Sequence, residues 1–264
     1  MPRWRNGWVA GCAAALLAAL VPAGASAQDG GAQDGATEGG PKIELPADQV
    51  EAIVRDYLMR EPEIIYEALQ ELQRREAAAE AERRKAALAA RKDDLFHSTA
   101  SPVGGNPEGD VTVVEFFDYR CGYCRRVVGS LRALVDQDED LRVVFKEFPI
   151  LGEDSVRASR AALAAKRQGL YMPLHFALMA ADDLSMDGIM QAAAGVGLDT
   201  EQLAADMEAP EIQAEIAATY ALARDLGIEG TPAFVIDDEL IPGAVSQDRL
   251  AALIDEARTD CATC

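Results

Sequence analysis

Residues 113–128 read VVEFFDYRCGYCRRVV. Apolar and aromatic residues dominate from Val113 to Tyr119, the composition of a buried strand, and a stretch of helical character follows. Two cysteines, Cys121 and Cys124, stand two residues apart where the strand gives way to the helix. The fold and the function both turn on what this pair does at that junction.

Working outward, the helix is expected to run from Cys121 to about Val135, and LRVVFKEFPI (141–150) reads as a second buried strand. Together they make a β-α-β unit. Residues 154–226 are almost wholly helical in pattern. TPAFVID (231–237), the short strand ELIPG (239–243) and a last helix from Ser246 to about Arg258 follow. Strands return after a long helical stretch, so one α/β sheet interrupted by a helical insertion is expected, over residues 99–260. STASPVGGNPEGD (98–110) is turn chemistry and marks the boundary upstream.

Before that boundary lies a helical arm, residues 46–98. Asp48 followed by Glu51 suggests a capping box with Asp in place of Ser, and Pro62 is expected to end one helix and open the next. The second helix should reach about Leu95. Leu58, Ile65, Leu72, Ala79 and Ala86 recur every seven residues, a weak stripe interrupted by Pro62. Two readings stand side by side: a solvated helix held by i,i+4 charge pairs, and an oligomerisation arm whose stripe meets its own copies.

The chain opens MPRWRNGWVAGCAAALLAALVPAGASAQ. Arg3 and Arg5, an apolar run from Val9 to Val21, and Ala25-Ser26-Ala27 have the form of a secretory leader (1–27) cleaved after Ala27. The run is short for a membrane span. Cys12 lacks a lipoprotein setting and would leave with the leader. Residues 28–45, rich in Gly, Asp and Gln, read as a flexible linker. An exported chain can keep disulfides. The chain is also long enough to bury a core without staples, so the remaining Cys121, Cys124, Cys261 and Cys264 call for another reason. The formal net charge of −20 repels phosphate backbones and argues against a nucleic-acid partner.

Cys-x-x-Cys is ambiguous between zinc and redox chemistry. At a helix N-terminus, unpaired N–H groups and the partial positive charge favour thiolate over thiol at Cys121, with Arg120, Arg125 and Arg126 nearby. Cys124, one turn on, is placed to resolve a mixed disulfide formed at Cys121. A zinc site would need two more ligands. Cys261 and Cys264 lie in a tail (261–264) beyond the last helix, and His97 and His175 have no ligand-like spacing and read as surface or boundary residues. Position and compartment favour redox, with no metal and no cofactor.

EFFDYRCGYC with GTPAFVI downstream resembles the DsbA-like thioredoxin-fold oxidoreductases. SPVGGNPEGDVTVVEFFDYRCGYC, VVFKEFPILG and GIEGTPAFVI, with the arm, resemble the suppressor-of-copper-sensitivity C (ScsC) proteins from about Pro46 to Arg258. The resemblance implies a thioredoxin-like α/β fold with a helical insertion, preceded by a helical oligomerisation arm. It implies that Pro232 is cis and faces the cysteines, and that the Thr231 backbone pairs with an extended substrate. Glu115 matches the family's buried acid, able to take a proton from Cys124; read from the residues alone, it would be a salt-bridge partner of Lys146. Gly122 and Tyr123 replace the Pro-His of the best-known oxidases, which gives no support for a strongly oxidising potential, and both are placed as substrate-facing residues. The expected protein is a periplasmic thiol–disulfide oxidoreductase, isomerase or reductase ahead of net oxidase. It would act on exported cysteine-containing proteins with a membrane redox partner, as a trimer held through residues 46–92. A copper-binding or copper-resistance module is the alternative. CATC is read first as a local disulfide, then as a Cu(I) pair or second redox pair. Met172, Met179, Met186 and Met190 read as core or an adaptable substrate surface.

Overall fold

The run at 111–117 is buried except at Thr112, which is partly exposed, because it is paired on both edges and covered on both faces. In the computed structural model, which describes residues 45–261, it forms β2 (Val111–Phe117), the centre of a five-stranded sheet. The described residues divide into two compact units after Pro62.

The first unit contributes helix α1 (Ala47–Arg60). Pro46 occupies the N-cap position and no side chain caps the helix, so the expected capping box is absent and Asp48 lies inside the first turn. Pro46 presets the backbone, with its carbonyl accepting from Gln49 and Val50 N–H. No residue of α1 is buried; Val50, Ile53, Val54, Tyr57 and Met59 all face out.

The second unit begins with α2 (Glu63–Ala90). Its exposed face carries Glu71–Arg74 and Glu71–Arg75 pairs at 2.8 and 2.7 Å, each worth a few tenths of a kcal/mol at most. Ile65, Tyr66, Leu69 and Leu72 are exposed as well. The helix was expected to continue to Leu95. It stops at Ala90, and a π-helical turn, Asp93–His97, follows. The turn buries Leu95 and Phe96 against the sheet. Cations of the core domain hold its carbonyls and those just beyond. Lys146 Nζ donates to Asp94 O (2.6 Å) and Ser101 Oγ (2.7 Å), and Arg142 to Phe96 O (2.7 Å). Lys166 Nζ donates to Thr99 O and Ala100 O (2.7 and 2.8 Å).

The remaining elements are β1 (Val103–Gly105), α3 (Gly122–Gln137), β3 (Leu141–Glu147), α4 (Glu153–Ala165), α5 (Tyr171–Ala180), α6 (Met186–Gly195), α7 (Thr200–Asp206), α8 (Pro210–Asp225), β4 (Ala233–Ile236), β5 (Glu239–Pro242) and α9 (Gln247–Cys261). The sheet order is β1-β3-β2-β4-β5, with β2 and β3 parallel and the other pairs antiparallel. β1 falls inside the stretch expected to be turn only. Gly104 makes it possible: a Cβ there would stand 2.9 Å from the Phe145 ring and 3.3 Å from Met172. Side chains alternate across the sheet. Val113, Phe117, Val143 and Phe145 face α3 and α9, while Val114, Phe116, Val144 and Phe148 pack on Leu95, Phe96, Leu222 and Ala223. Helices α4 to α8 fill the interval between β3 and β4, as a DsbA-like thioredoxin fold requires.

Candidate active site

The turn after β2 is built around Asp118, which is fully buried. Its carboxyl group accepts from Arg120 N–H (2.7 Å), Ser155 Oγ (2.8 Å) and Leu151 N–H (2.9 Å), and its carbonyl accepts from Cys121 N–H (3.1 Å). One side chain thus shapes the turn and ties it to the loop after β3 and to α4. Cys121 is the N-cap residue of α3, with extended backbone (φ −73°, ψ 113°). Both cysteines are free thiols; Cys121 is 6% exposed and Cys124 is fully enclosed. Burial pushes the Cys124 thiol well up, and the Glu115 and Cys121 side chains push in the same direction. That asymmetry, a sulfur with slight access to solvent and one with none, suits attack followed by resolution.

The Thr231–Pro232 peptide bond is cis, and Cys121 Sγ donates to the Thr231 carbonyl at 3.2 Å. Gly122 and Tyr123 flank the sulfur on the open side. A Cβ at Gly122 would meet nothing within 4 Å, and Tyr123 is 58% exposed with Arg126 stacked on its ring at 4.2 Å. The other arginine heads are tied to backbone carbonyls, Arg120 to Leu151 O (2.7 Å) and Arg125 to Tyr119 O (2.8 Å). Beside the Leu151 loop runs a cleft of about 660 Å³ lined by Ile150, Val156, Met186, Met207 and Tyr220 among others. Of the four methionines singled out, Met179 is core and Met186 is exposed in this cleft.

Glu115 is buried on β2, and neither carboxyl oxygen has a hydrogen-bond partner among the described residues. Burial raises it to about 8. The salt bridge to Lys146 does not form. Register sets Glu115 opposite Phe145 and Phe116 opposite Lys146, so with alternating side chains the two charges point to opposite faces. Lys146 turns instead to the π-helical turn.

Sequence reasoning missed a second buried acid, Glu147, and its partners. Tyr119 and Tyr171 hydroxyls each donate to Glu147 Oε1 at 2.9 Å. His175, read as a surface or boundary residue, is fully buried on α5 with Nδ1 3.1 Å from the Tyr119 hydroxyl. Burial lowers it to about 3. His97 is exposed, at the end of the π-helical turn. The missed signal was parity: Glu147 is two residues beyond Phe145 and must share its inward face. The last helix runs past the expected end at Arg258 to Cys261, so the backbone of Cys261 belongs to α9 and not to a tail beyond it. Residues 1–44, Cys264 and the side chain of Cys261 lie outside the described residues, and the readings made on them with them.

A strand–helix junction bearing a cysteine pair, Cys121 slightly exposed and Cys124 fully enclosed, and facing a cis-proline loop defines a thioredoxin-fold redox class. The chain belongs to the DSBA-like thioredoxin domain family, whose sequence profile matches residues 112–255. The profile of the copper resistance protein ScsC N-terminal domain matches residues 48–79. A thioredoxin-like oxidoreductase from Silicibacter pomeroyi DSS-3 is 54% identical, covering 63% of this chain and 97% of its own, with a TM-score of 0.62. ScsC from Proteus mirabilis in a transitional conformation is 32% identical, covering 82% of this chain and 98% of its own, also at 0.62. Among curated proteins, a Na(+)/H(+) antiporter NhaA from Herminiimonas arsenicoxydans is 29% identical over 160 residues, which is 59% of this chain but 25% of the antiporter. The chain thus spans about a quarter of the length of the curated relatives it matches first. Among the described residues no helix is long and apolar enough to cross a membrane.

Proposed function

We propose that the chain is a periplasmic thiol–disulfide oxidoreductase that reduces or isomerises disulfides of exported proteins through Cys121 and Cys124. The observation that carries this reading is the 3.2 Å contact between Cys121 Sγ and the Thr231 carbonyl beside a cis proline. A backbone carbonyl beside the reacting sulfur, next to the start of β4, supports pairing with an extended polypeptide there. The Cys121 thiolate attacks a substrate disulfide, forming a mixed disulfide and releasing one substrate thiolate. Cys124 then gives its proton to Glu115 and attacks Cys121 Sγ. The Cys121–Cys124 bond forms, the mixed disulfide breaks, and its electron pair leaves with the second substrate sulfur. Two electrons pass from the cysteine pair to the substrate. A membrane thiol–disulfide partner would return them.

Isomerisation is favoured over net oxidation by the exposed apolar faces of α1 and α2. These suit self-association through residues 46–92, with a trimer proposed from the resemblance to ScsC, and linked sites raise their effective concentration around one client. The test has two arms. In the first, Cys124→Ser should trap mixed disulfides with scrambled, disulfide-bonded substrates while Cys121→Ser traps none; full turnover by Cys121→Ser would sink the redox assignment. In the second, light scattering on the chain without its leader should report a multiple of the monomer mass; a monomer at micromolar concentration would move the reading to a monomeric reductase or oxidase. A copper-resistance role is supported by the description of the profile matched at residues 48–79. It predicts stoichiometric Cu(I) binding by the reduced chain.

A further inference from the structure

We propose that Glu147 is a positioning residue for the resolving cysteine: once ionised, it holds the proton on Glu115. This rests on the thiol–disulfide reading given above and deepens it. The argument starts from register. In the parallel β2–β3 pair, Glu115 stands opposite Phe145 and Phe117 opposite Glu147. Side chains two apart on a strand share a face, so both acids lie on the α3 side of the sheet as diagonal neighbours, on the order of 7–8 Å apart. Glu147 is the one nearer the C-terminal ends of the two strands, the end at which Cys121 sits.

The polar groups facing this pair come from α3, the turn before it, α4 and α5, while α9, packed on the same face, buries Leu250, Leu253 and Ile254 there. The polar groups are Cys121 and Cys124 from the start of α3, Asp118 and Tyr119 from the turn before it, Ser159 from α4, and Tyr171 and His175 from α5. None is a cation. Among the described residues no lysine or arginine bonds to either carboxyl, and Lys146, the nearest lysine in sequence, lies on the opposite face. Two acids enclosed together without a counter-charge do not ionise independently.

Their hydrogen bonding decides the order. Glu147 Oε1 accepts from two phenols, Tyr119 and Tyr171, whereas neither oxygen of Glu115 has a partner. Donors favour the charged form of the acid they serve. The Tyr119 hydroxyl has a single proton and gives it to Glu147. We therefore assign His175 the Nδ1–H tautomer, donating to Tyr119 and leaving Nε2 as the bare, unpartnered nitrogen. The relay His175, Tyr119, Glu147 points all its donors toward one carboxyl. Burial lifts both acids to about 8, with the Asp118 charge adding to the rise at Glu147; the order, Glu147 first, rests on the two phenol donors that Glu115 lacks. The Glu147 charge then makes Glu115 harder to ionise by about one pH unit or more. Glu115 stays the acid that protonates Cys124 as it leaves the internal disulfide, and becomes the base for resolution only at higher pH.

Carboxyl-¹³C glutamate labelling of the reduced full chain tests this, with the two signals assigned by their loss in Glu115→Gln and Glu147→Gln. The Glu147 signal should titrate at the lower midpoint. In Glu147→Gln the Glu115 midpoint should fall by about one pH unit or more, and the pH profile of mixed-disulfide resolution should move to the acid side by the same amount. An unmoved Glu115 midpoint, or Glu115 titrating first in the wild type, overturns the proposal. Should Glu147→Gln fail to fold, Tyr171→Phe serves instead. Removing that donor should raise the Glu147 midpoint and narrow the gap, and an unchanged gap overturns the proposal. A wild-type chain without exchange activity would sink the functional reading, while the midpoints would still decide the coupling.

Discussion

Replacing Glu115 by Gln removes a buried acid that has no hydrogen-bond partner. Burial lifts this carboxyl from an ordinary 4.5 to about 8. The folded protein therefore binds the proton more tightly than the unfolded chain, and ionisation works against folding. The penalty is absent below pH 4.5, grows as the pH rises, and is complete above about pH 8. Between pH 5 and pH 8 it costs the wild-type protein about 3 kcal/mol through this one group, at roughly 1.36 kcal/mol per unit. Gln does not titrate. Its unpaired amide carries a cost of about 1–3 kcal/mol, but that cost is the same at every pH and drops out of a comparison across pH. Urea unfolding of both proteins, fully reduced, at several pH values from 5 to 8 gives the required numbers. The stability difference, variant minus wild type, should climb by about 3 kcal/mol over that range. A flat difference would refute the claim that Glu115 is enclosed without a counter-charge.

Asp118→Ala leaves three donors facing an empty site and should lower stability by about 2–4 kcal/mol. Thermal unfolding reads the loss, and a shift under about 2 °C would show that the turn holds without its carboxyl. Gly104→Ala drives a methyl to 2.9 Å from the Phe145 ring and should cost about 1–3 kcal/mol by the same measurement. An unchanged midpoint would mean that β1 is free to move away from β3.

The sheet, the insertion and the cysteine pair were legible because each rests on a local signal. An apolar run stops at Cys121, helical periodicity fills 154–226, and TP precedes a short strand. Features set by contacts distant in sequence were not. β1 has too few residues and too much glycine to show a strand pattern, and exists because β3 offers an edge with a ring above Gly104. His175 sits in an apolar helix whose buried face is fixed by the sheet beneath it. The pairing of Glu115 with Lys146 failed on parity alone, since adjacent strands in this register put those two positions on opposite faces.

Segment 94–101 is gripped by Arg142, Lys146 and Lys166 mostly through its carbonyls, at Asp94, Phe96, Thr99 and Ala100. Every residue type has a carbonyl. The grip at Thr99 and Ala100 is therefore indifferent to which side chains they carry, and both are exposed. The information that fixes this junction is written at a distance, in the three cations on β3 and just after α4. Drift at Thr99 and Ala100 leaves the shape of the junction intact, while a single change at Lys166 would release the Thr99, Ala100 and Ser101 carbonyls together.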